Sequence, residues 1–339
     1  MKILITGASG FIGSHVVRSF SKNHDVTALV RPNSDIRFIA KYRAKILRTE
    51  LESKSDLENI VSEFDLVVHV AAKASDWGDY KDFYQANVVC TLNLVDVLPQ
   101  KTGIILISSN AVLGEEDSIE RKSEDSIYAP ELHYFGESVF PSAMNHYRLS
   151  KTIAEQMAIA RAEKRGLKLT VIRPVWVYGP REFHAGPYEY CKTVMSGIPC
   201  MPGTDKNRFH AIYVEDLAGI VKEVALNQPS GVSIYNAGNP DIPFMNDYWE
   251  TFCRHLGRTK PFNLPKWLLY PLGIILEFLW MLFKAATPPL FTRARIYMFY
   301  ANNMYNVDKI KRDFPDIRYT SLENGVKKTV RWWRMNKYL

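Results

Sequence analysis

The sequence predicts an α/β fold built on a doubly wound parallel sheet, and three observations carry that expectation. First, the short apolar run Met1-Lys2-Ile3-Leu4-Ile5 leads at once into the glycine-rich turn Thr6-Gly7-Ala8-Ser9-Gly10-Phe11-Ile12-Gly13. Second, a helical pattern from Ser14 to about Ser21 and an apolar run at Val26–Val30 complete a strand–turn–helix–strand unit. Third, apolar runs return at 44–47, 65–72, 104–107, 169–172 and 233–238. Strands this apolar are the kind buried on both faces of a parallel sheet.

The opening unit carries the first chemistry. Glycines without Cβ let a ligand approach the backbone, and the free N–H groups and dipole of the following helix favour negative charge. That is where a dinucleotide pyrophosphate sits. The second strand ends in Val30-Arg31 with no carboxylate. An acidic residue there binds a ribose 2′-hydroxyl, whereas arginine accommodates a 2′-phosphate. NADP(H) is therefore favoured; NAD(H) stays open because Asp35 in the next loop could reach a ribose.

From Arg31 to Phe64 the chain reads as polar and helical, interrupted by the third strand at Ala44–Leu47. Residues 65–72 are the fourth strand and its exit, with small residues at Ala71 and Ala72. His69 lies inside that apolar strand and reads as a core histidine rather than a ligand or base. The fifth strand, Ile104–Ile107, ends in Ser108-Ser109, at the sheet edge where ligands of such folds bind. Tyr147 and Lys151 stand four residues apart and share a helix face. An ammonium beside a phenol would favour the ionised form and lower a pKa near 10.

With Thr6 in front, the spacing Gly-x-x-Gly-x-x-Gly resembles the extended branch of the short-chain dehydrogenase/reductase superfamily, and Tyr-x-x-x-Lys one helix after the serine strand strengthens the likeness. The resemblance implies a Rossmann-type cofactor domain and a smaller C-terminal substrate domain. The division expected is 1–175 for the first, with return strands near 209–238, and 176–208 with 239–339 for the second. It places Thr6, Gly7, Ser9, Gly10, Phe11, Ile12 and Gly13 on the cofactor, with Glu50-Leu51 where Asp-Leu usually flanks the adenine. Ala71, Ala72, Lys73 and Ser108 would line the cofactor, and Pro174 through Val177 would lie behind the nicotinamide. Asn87-Val88-Val89-Cys90-Thr91-Leu92-Asn93-Leu94 matches Asn-Val-x-Gly-Thr-x-Asn-Leu, with Cys90 in place of Gly. Asn87 there supports the active site or simply packs its helix. Ser109, Tyr147 and Lys151 match the catalytic triad. Trp77, Ser109, Trp176 and His210 fall on the substrate side, although His210 equally suits a structural strand edge.

The stretch 264–290 is apolar nearly all round but is interrupted by Pro271, Gly273 and Glu277. It is a poor fit to the roughly 20 clean apolar residues of a membrane span. Three readings stay open: a helix pair packed on the substrate domain, a hydrophobic substrate wall, or peripheral membrane contact. Together with Pro288-Pro289-Leu290 and Thr292-Arg293, it resembles the branch containing 3β-hydroxysteroid dehydrogenases.

Composition is that of an ordinary globular protein, with 339 residues, 47% apolar, 23% charged and a net charge of +7. The basic residues from Lys327 to Lys337 read as a solvated helix face, with an anionic surface as the sharper alternative. Cys90, Cys191, Cys200 and Cys253 lack metal-ligand spacing and read as reduced packing residues. No signal peptide pattern opens the chain, so a cytoplasmic location is expected, with membrane association left open by 264–290. No metal and no nucleic-acid partner is expected, and a homodimer is the default.

The function expected is an NADP(H)-dependent oxidoreductase interconverting a secondary alcohol and a ketone on a hydrophobic, sterol-like or long-chain substrate. A nucleotide-sugar epimerase or dehydratase with tightly bound NAD is the alternative. Against it, Ser109-Asn110-Ala111 replaces the Thr-Asp-Glu of the dehydratases, and Trp176 stands where sugar-nucleotide enzymes commonly have Asn. A non-catalytic NADP-binding protein is the reading from another class, and the intact Tyr147/Lys151 pair argues against it.

Overall fold

A computed structural model describes residues 1–115, 117–183 and 186–339. In chain order, β1 (Lys2–Thr6), α1 (Phe11–Phe20), β2 (Asp25–Val30), β3 (Lys45–Arg48), α2 (Lys54–Val61) and β4 (Leu66–His69) form the first half of the sheet. Helices α3 (Tyr80–Phe83) and α4 (Cys90–Val97) run together through a π-helical segment, Tyr84–Val89. Then come β5 (Gly103–Ile107), the long α5 (Ala143–Arg165) and β6 (Leu169–Pro174). The remainder is β7 (Trp176–Tyr178), α6 (Pro187–Met195), β8 (Cys200–Pro202), β9 (Ala211–Tyr213), α7 (Val214–Leu226), β10 (Val232–Ala237), α8 (Met245–Leu256), β11 (Phe262–Leu264), α9 (Lys266–Leu282), α10 (Arg293–Met298), α11 (Asp308–Asp313) and α12 (Leu322–Met335).

Seven strands form one parallel sheet in the order β10-β6-β5-β4-β1-β2-β3. This is the doubly wound arrangement expected. The strand order reverses beside β1, so the crevice at the carboxyl ends of β1 and β4 is the switch point where a ligand binds. Every residue of β4 and β5 is buried, in keeping with their unbroken apolar character.

Several boundaries differ from the sequence expectation. Helix α1 starts at Phe11, directly on the glycine turn, and α5 starts at Ala143, a turn before Tyr147. Residues 32–44 contain turns rather than a helix, held down by Ile36, Ile39 and Tyr42 against the core. Of the two returns expected near 209–238, only β10 joins the central sheet; β9 instead pairs with β7 in a separate two-stranded parallel sheet.

The C-terminal elements have their own core, rich in aromatic residues such as Tyr178, Tyr190, Tyr248, Trp249, Phe252 and Trp333. Helix α12 buries Val326, Val330 and Trp333, leaving Lys327, Lys328, Arg331 and Arg334 on the solvated face. Three of the four cysteines are buried and all four are unpaired, as packing residues would be.

Candidate active site

The glycine turn is shaped for close approach. Gly7 has φ +63°, and a Cβ there would lie 2.7 Å from the Ala71 backbone; one at Gly13 would lie 2.1 Å from the Gly7 carbonyl. The turn is thereby pressed against both the exit of β4 and the start of α1. Gly10 caps α1 without a side chain, so among the described residues the first-turn N–H groups of Phe11 and Ile12 have no side-chain cap. Uncapped donors at a glycine cradle suit a pyrophosphate. Thr6 supports the turn from below, its hydroxyl accepting from Ala71 N (3.3 Å) and donating to His69 Nδ1 (2.7 Å). The Thr91 hydroxyl donates to Asn87 O, so it accepts from His69 Nε2–H at 3.0 Å. That fixes the histidine tautomer, and burial pushes its pKa down to about 3. His69 is a neutral core residue, as the sequence suggested.

The adenosine end is defined by β2 and β3. Arg31 is exposed just after β2. Arg48, level with Val30 in the β2–β3 register, donates to the carbonyls of Pro32 (2.5 Å) and Ser34 (3.2 Å). Two guanidiniums therefore stand at this edge, one of them unforeseen. Asp35 is engaged by the main chain and guanidinium of Arg37, which hold its carboxyl below the usual range. Beyond β3, Asn93 donates to the carbonyls of Leu51 (3.3 Å) and Glu52 (2.8 Å), pinning the loop that carries Glu50.

Asn87 lies within the π-helical segment, whose extra residue per turn alters its direction relative to a regular α-helix. Its Oδ1 accepts from Lys73 N at 2.7 Å, and its Nδ2 donates to Lys73 O and to Ser150 Oγ at 2.9 Å. Asn87 thus ties the β4 exit, where Ala71 and Ala72 lie, to α5 beside Lys151. The Lys73 ammonium turns away to Asp82 at 2.8 Å.

Ser109, Tyr147 and Lys151 come together at the ends of β5 and α5. The Tyr147 phenol lies beside Ser109; burial raises its pKa, and the neighbouring Ser109 hydroxyl opposes the rise. Lys151 donates to the Ile107 carbonyl at 2.8 Å. Burial lowers its pKa to about 8, opposed by Glu155 one turn along the helix. The lysine does not reverse the upward shift of the phenol, contrary to the expectation that an adjacent ammonium would lower it: its ammonium is turned to a carbonyl and is itself desolvated.

Below the triad is a network that residue spacing does not connect. Glu155 is fully buried, accepts from Ser108 and from Tyr128 (2.8 Å), and pairs with the equally buried Arg173 (2.5 and 2.9 Å). The Ser108 hydroxyl is thus engaged below the triad. A charge inside the apolar strand Leu169–Pro174 was itself the available signal, because a buried arginine needs a partner. Nearby, Arg148 pairs with Glu115 and donates to Tyr134 at 3.0 Å.

Among the residues expected to face the substrate, Trp77 donates its indole N–H to Ala285 O at 2.8 Å. Trp176, which immediately follows Pro174-Val175 and precedes Val177, helps line a cavity of about 60 Å³ with Tyr190, Met201, Trp249 and Phe299. His210 is buried, accepts from Tyr305 N (3.1 Å), and contacts Asn239 O (2.9 Å). With both ring nitrogens occupied and its pKa lowered to about 4 by burial, it braces the strand edge. Arg181 was also missed. It is buried in a left-handed conformation (φ +75°), bonded to Tyr42 OH at 3.0 Å, and its Nε and Nη1 have no partner among the described residues.

Residues 3–238 match the profile of the NAD dependent epimerase/dehydratase family. The chain belongs to that family. It is an NAD(P)-dependent enzyme of the extended short-chain type, with likeness to the 3β-hydroxysteroid dehydrogenase branch. A 2-alkyl-3-oxoalkanoate reductase of Stenotrophomonas maltophilia is 25% identical over 97% of this chain and 98% of its own. The decarboxylating sterol-4-alpha-carboxylate 3-dehydrogenase of Schizosaccharomyces pombe is 22% identical over 99% and 98%. The dTDP-glucose 4,6-dehydratase of Bacillus anthracis, solved with NAD, is 19% identical, with a TM-score of 0.76 over 100% of this chain and 98% of that one. This family member therefore has relatives named as reductases and sterol dehydrogenases, and a fold shared with nucleotide-sugar enzymes.

Proposed function

We propose that this enzyme interconverts a secondary alcohol and a ketone on a hydrophobic substrate, using NADP(H). The observation that carries the reading is the Tyr147 phenol beside Ser109 at the carboxyl edge of the sheet, with Lys151 one turn along α5 and anchored to Ile107 O. In the reducing direction Tyr147 gives its phenolic proton to the carbonyl oxygen as charge develops there, and Ser109 donates a hydrogen bond to the same oxygen. Lys151, anchored to Ile107 O, presents a cation beside the ribose, while Asn87 and Ser150 hold the helix against the β4 exit. The bound nicotinamide supplies the hydride. The raised phenol pKa suits this direction, since Tyr147 remains protonated at neutral pH until the oxyanion forms.

Support for a hydrophobic substrate comes from the relatives named as a 2-alkyl-3-oxoalkanoate reductase and a sterol-4-alpha-carboxylate 3-dehydrogenase, and Asn110-Ala111, at the positions where dehydratases carry an acid–base pair, speaks against dehydration. Support for NADP(H) comes from Arg31 and Arg48 at the β2–β3 edge and from the engagement of Asp35 by Arg37. A charge-assisted contact is worth about 1.5–3 kcal/mol, roughly ten- to a hundredfold in affinity. NADPH should therefore bind at least about tenfold more tightly than NADH, and Arg31→Ala should remove most of that gap. Fluorescence titration of both cofactors at fixed salt measures it. Tyr147→Phe should abolish ketone reduction with cofactor affinity nearly unchanged. Equal cofactor affinities, together with a nucleotide sugar released on denaturation, would replace this reading with the epimerase one.

A further inference from the structure

Ser109 takes its place from the turn that follows it. It caps the short 3₁₀ turn Asn110–Leu113, its Oγ accepting from Ala111 N at 3.2 Å. The far end of that turn is held from two sides. Gly114, left-handed at φ +80°, redirects the chain, and its carbonyl accepts from Tyr305 OH at 2.9 Å. Next to it, Glu115 Oε2 accepts from Arg148 Nε at 2.7 Å and from Nη2 of the same guanidinium. Arg148 directly follows Tyr147 in α5. The contacts therefore close a circuit: Ser109, its turn, Glu115, Arg148, Tyr147, and back to Ser109 beside the phenol.

Arg148 is fixed on every side. Its side chain is 3% exposed, against 16% for Glu115. Its Nη1 donates to Tyr134 OH (3.0 Å) and to Asn145 Oδ1 (2.9 Å), and Asn145 is tied in turn to the main chain of Leu132 (3.1 and 2.8 Å). A planar guanidinium engaged along all its edges has one orientation, so the Glu115 carboxylate has one place relative to Tyr147. A buried ion pair adds little net stability, because desolvation offsets the attraction. What this one supplies is geometry, joining residues 33 positions apart. The other charges around the phenol are spent elsewhere. Lys151 is turned to Ile107 O, Lys73 to Asp82 and Asp76 to Arg295, while Glu137 accepts from Ser142 N and Asn145. Lys81 and Asp82 of α3 are exposed, and Glu155 pairs with Arg173 one turn along α5. The His146 ring meets Gly78 O and Tyr80. Glu115 and Arg148 act on Tyr147 in opposite senses, the carboxylate raising its pKa and the guanidinium lowering it.

We infer that Glu115 and Arg148 are positioning residues, their ion pair holding the Ser109 hydroxyl and the Tyr147 phenol at the spacing from which both reach one substrate oxygen. The inference rests on the alcohol–ketone reading, in which those two groups serve the same oxygen. It assigns neither residue a contact with substrate or cofactor.

The test compares kcat with binding. Glu115→Ala should lower kcat for ketone reduction by up to about a hundredfold, the cost of a small misplacement of reacting groups. The Kd for NADPH and the KM for the ketone should change less than about twofold. Glu115→Gln keeps an acceptor for the guanidinium and should recover most of the loss, because position rather than charge is at stake. Glu115→Ala alone leaves a buried guanidinium unpaired and threatens folding. The double variant Glu115→Ala/Arg148→Met removes both charges and should show the same loss of kcat. In a Ser109→Ala background, Glu115→Ala should cost only about twofold, since the hydroxyl it aligns is already gone. A second readout needs no turnover: fluorine NMR of 3-fluorotyrosine placed at 147. Its titration midpoint should fall in Glu115→Gln and rise in Arg148→Met, whereas a merely structural role moves both toward that of an exposed phenol. Unchanged kcat in the folded double variant overturns the inference. So does an undiminished loss in the Ser109→Ala background, or midpoints that move together. A wild type inert toward every ketone, with midpoints that still move apart, overturns the alcohol–ketone reading alone. Full ketone turnover in wild type and double variant alike overturns the positioning role alone.

Discussion

Two buried arginine–glutamate pairs, Arg173–Glu155 and Arg293–Glu277, hold the two halves of this molecule, and they serve opposite surroundings. Their side chains are almost wholly inaccessible in both cases. Glu155 sits among polar groups, accepting from Ser108 and Tyr128 and raising the pKa of Lys151 against burial. Its pair gathers polarity beneath α5, the helix that carries Tyr147 and Lys151. Glu277 sits in an apolar helix, and its pair removes the only carboxylate of α9 from the surface. The comparison teaches that a buried ion pair can either organise a polar site or keep a surface apolar, depending on what its free sides touch.

The comparison can be broken most forcefully at the glutamates. Replacing one partner leaves a buried guanidinium uncompensated, at a cost of about 3–5 kcal/mol. Glu155→Gln and Glu277→Gln should therefore lower stability similarly in chemical denaturation. Their catalytic consequences should differ. Glu155→Gln removes the group that raises the Lys151 pKa, so that pKa should fall further below about 8 and the pH–rate profile should move with it. Glu277→Gln should leave the pH profile of a short soluble ketone in place. Identical profiles for both variants would erase the distinction.

A somewhat smaller effect is expected at Lys151. Burial lowers its pKa from 10.5 to about 8, so the folded state resists the charged form. Between pH 8 and 10.5 the unfolded chain holds the proton more than the folded one, so this group makes stability rise with pH across that window. Below pH 8 its destabilising effect is fully present, on the order of 3 kcal/mol for a pKa brought down that far. Lys151→Met should therefore raise the melting temperature at pH 7, flatten the rise above pH 8, and abolish turnover. A lower melting temperature for the variant at pH 7 would show that the ammonium is stabilised in the fold by more than Ile107 O and Glu155.

The two halves were unequally legible in the sequence. The glycine turn, the serine edge and the Tyr147/Lys151 helix follow from local spacing, because strand, turn and helix each leave a short-range pattern. The Asn87 bridge and the Glu155–Arg173 pair join residues 14 to 63 positions apart, and spacing does not encode such contacts. Only the presence of a charge in a buried strand hinted at the second. In α9, Glu277 read as an interruption of an apolar stretch. It is instead the inward anchor of that helix, and its partner 16 residues on could be found only once α10 was folded back against it. Residues 32–44 were misjudged because polar composition does not separate a surface helix from a series of turns. The 209–213 strand was misplaced because its apolar pattern suits either sheet.

The smallest expected effect sharpens the comparison best. If the outer stripe of α9 is free of protein contacts in the folded chain, Leu272→Ser and Ile275→Ser should each change stability by no more than about 0.5 kcal/mol, as exposed substitutions do. The buried stripe of the same helix gives the contrast. Leu269→Ala removes a side chain that is only 4% exposed and should cost about 2–5 kcal/mol for the lost burial and the cavity left behind. Denaturant midpoints of the three variants, measured at several protein concentrations, decide between the stripes. A cost above about 2 kcal/mol for Ile275→Ser that grows with protein concentration would mean that a second copy covers the face in solution, because only an association linked to folding makes stability depend on concentration. A small, concentration-independent change would instead leave an apolar surface that the fold does not need, kept free of acid by a glutamate turned inward.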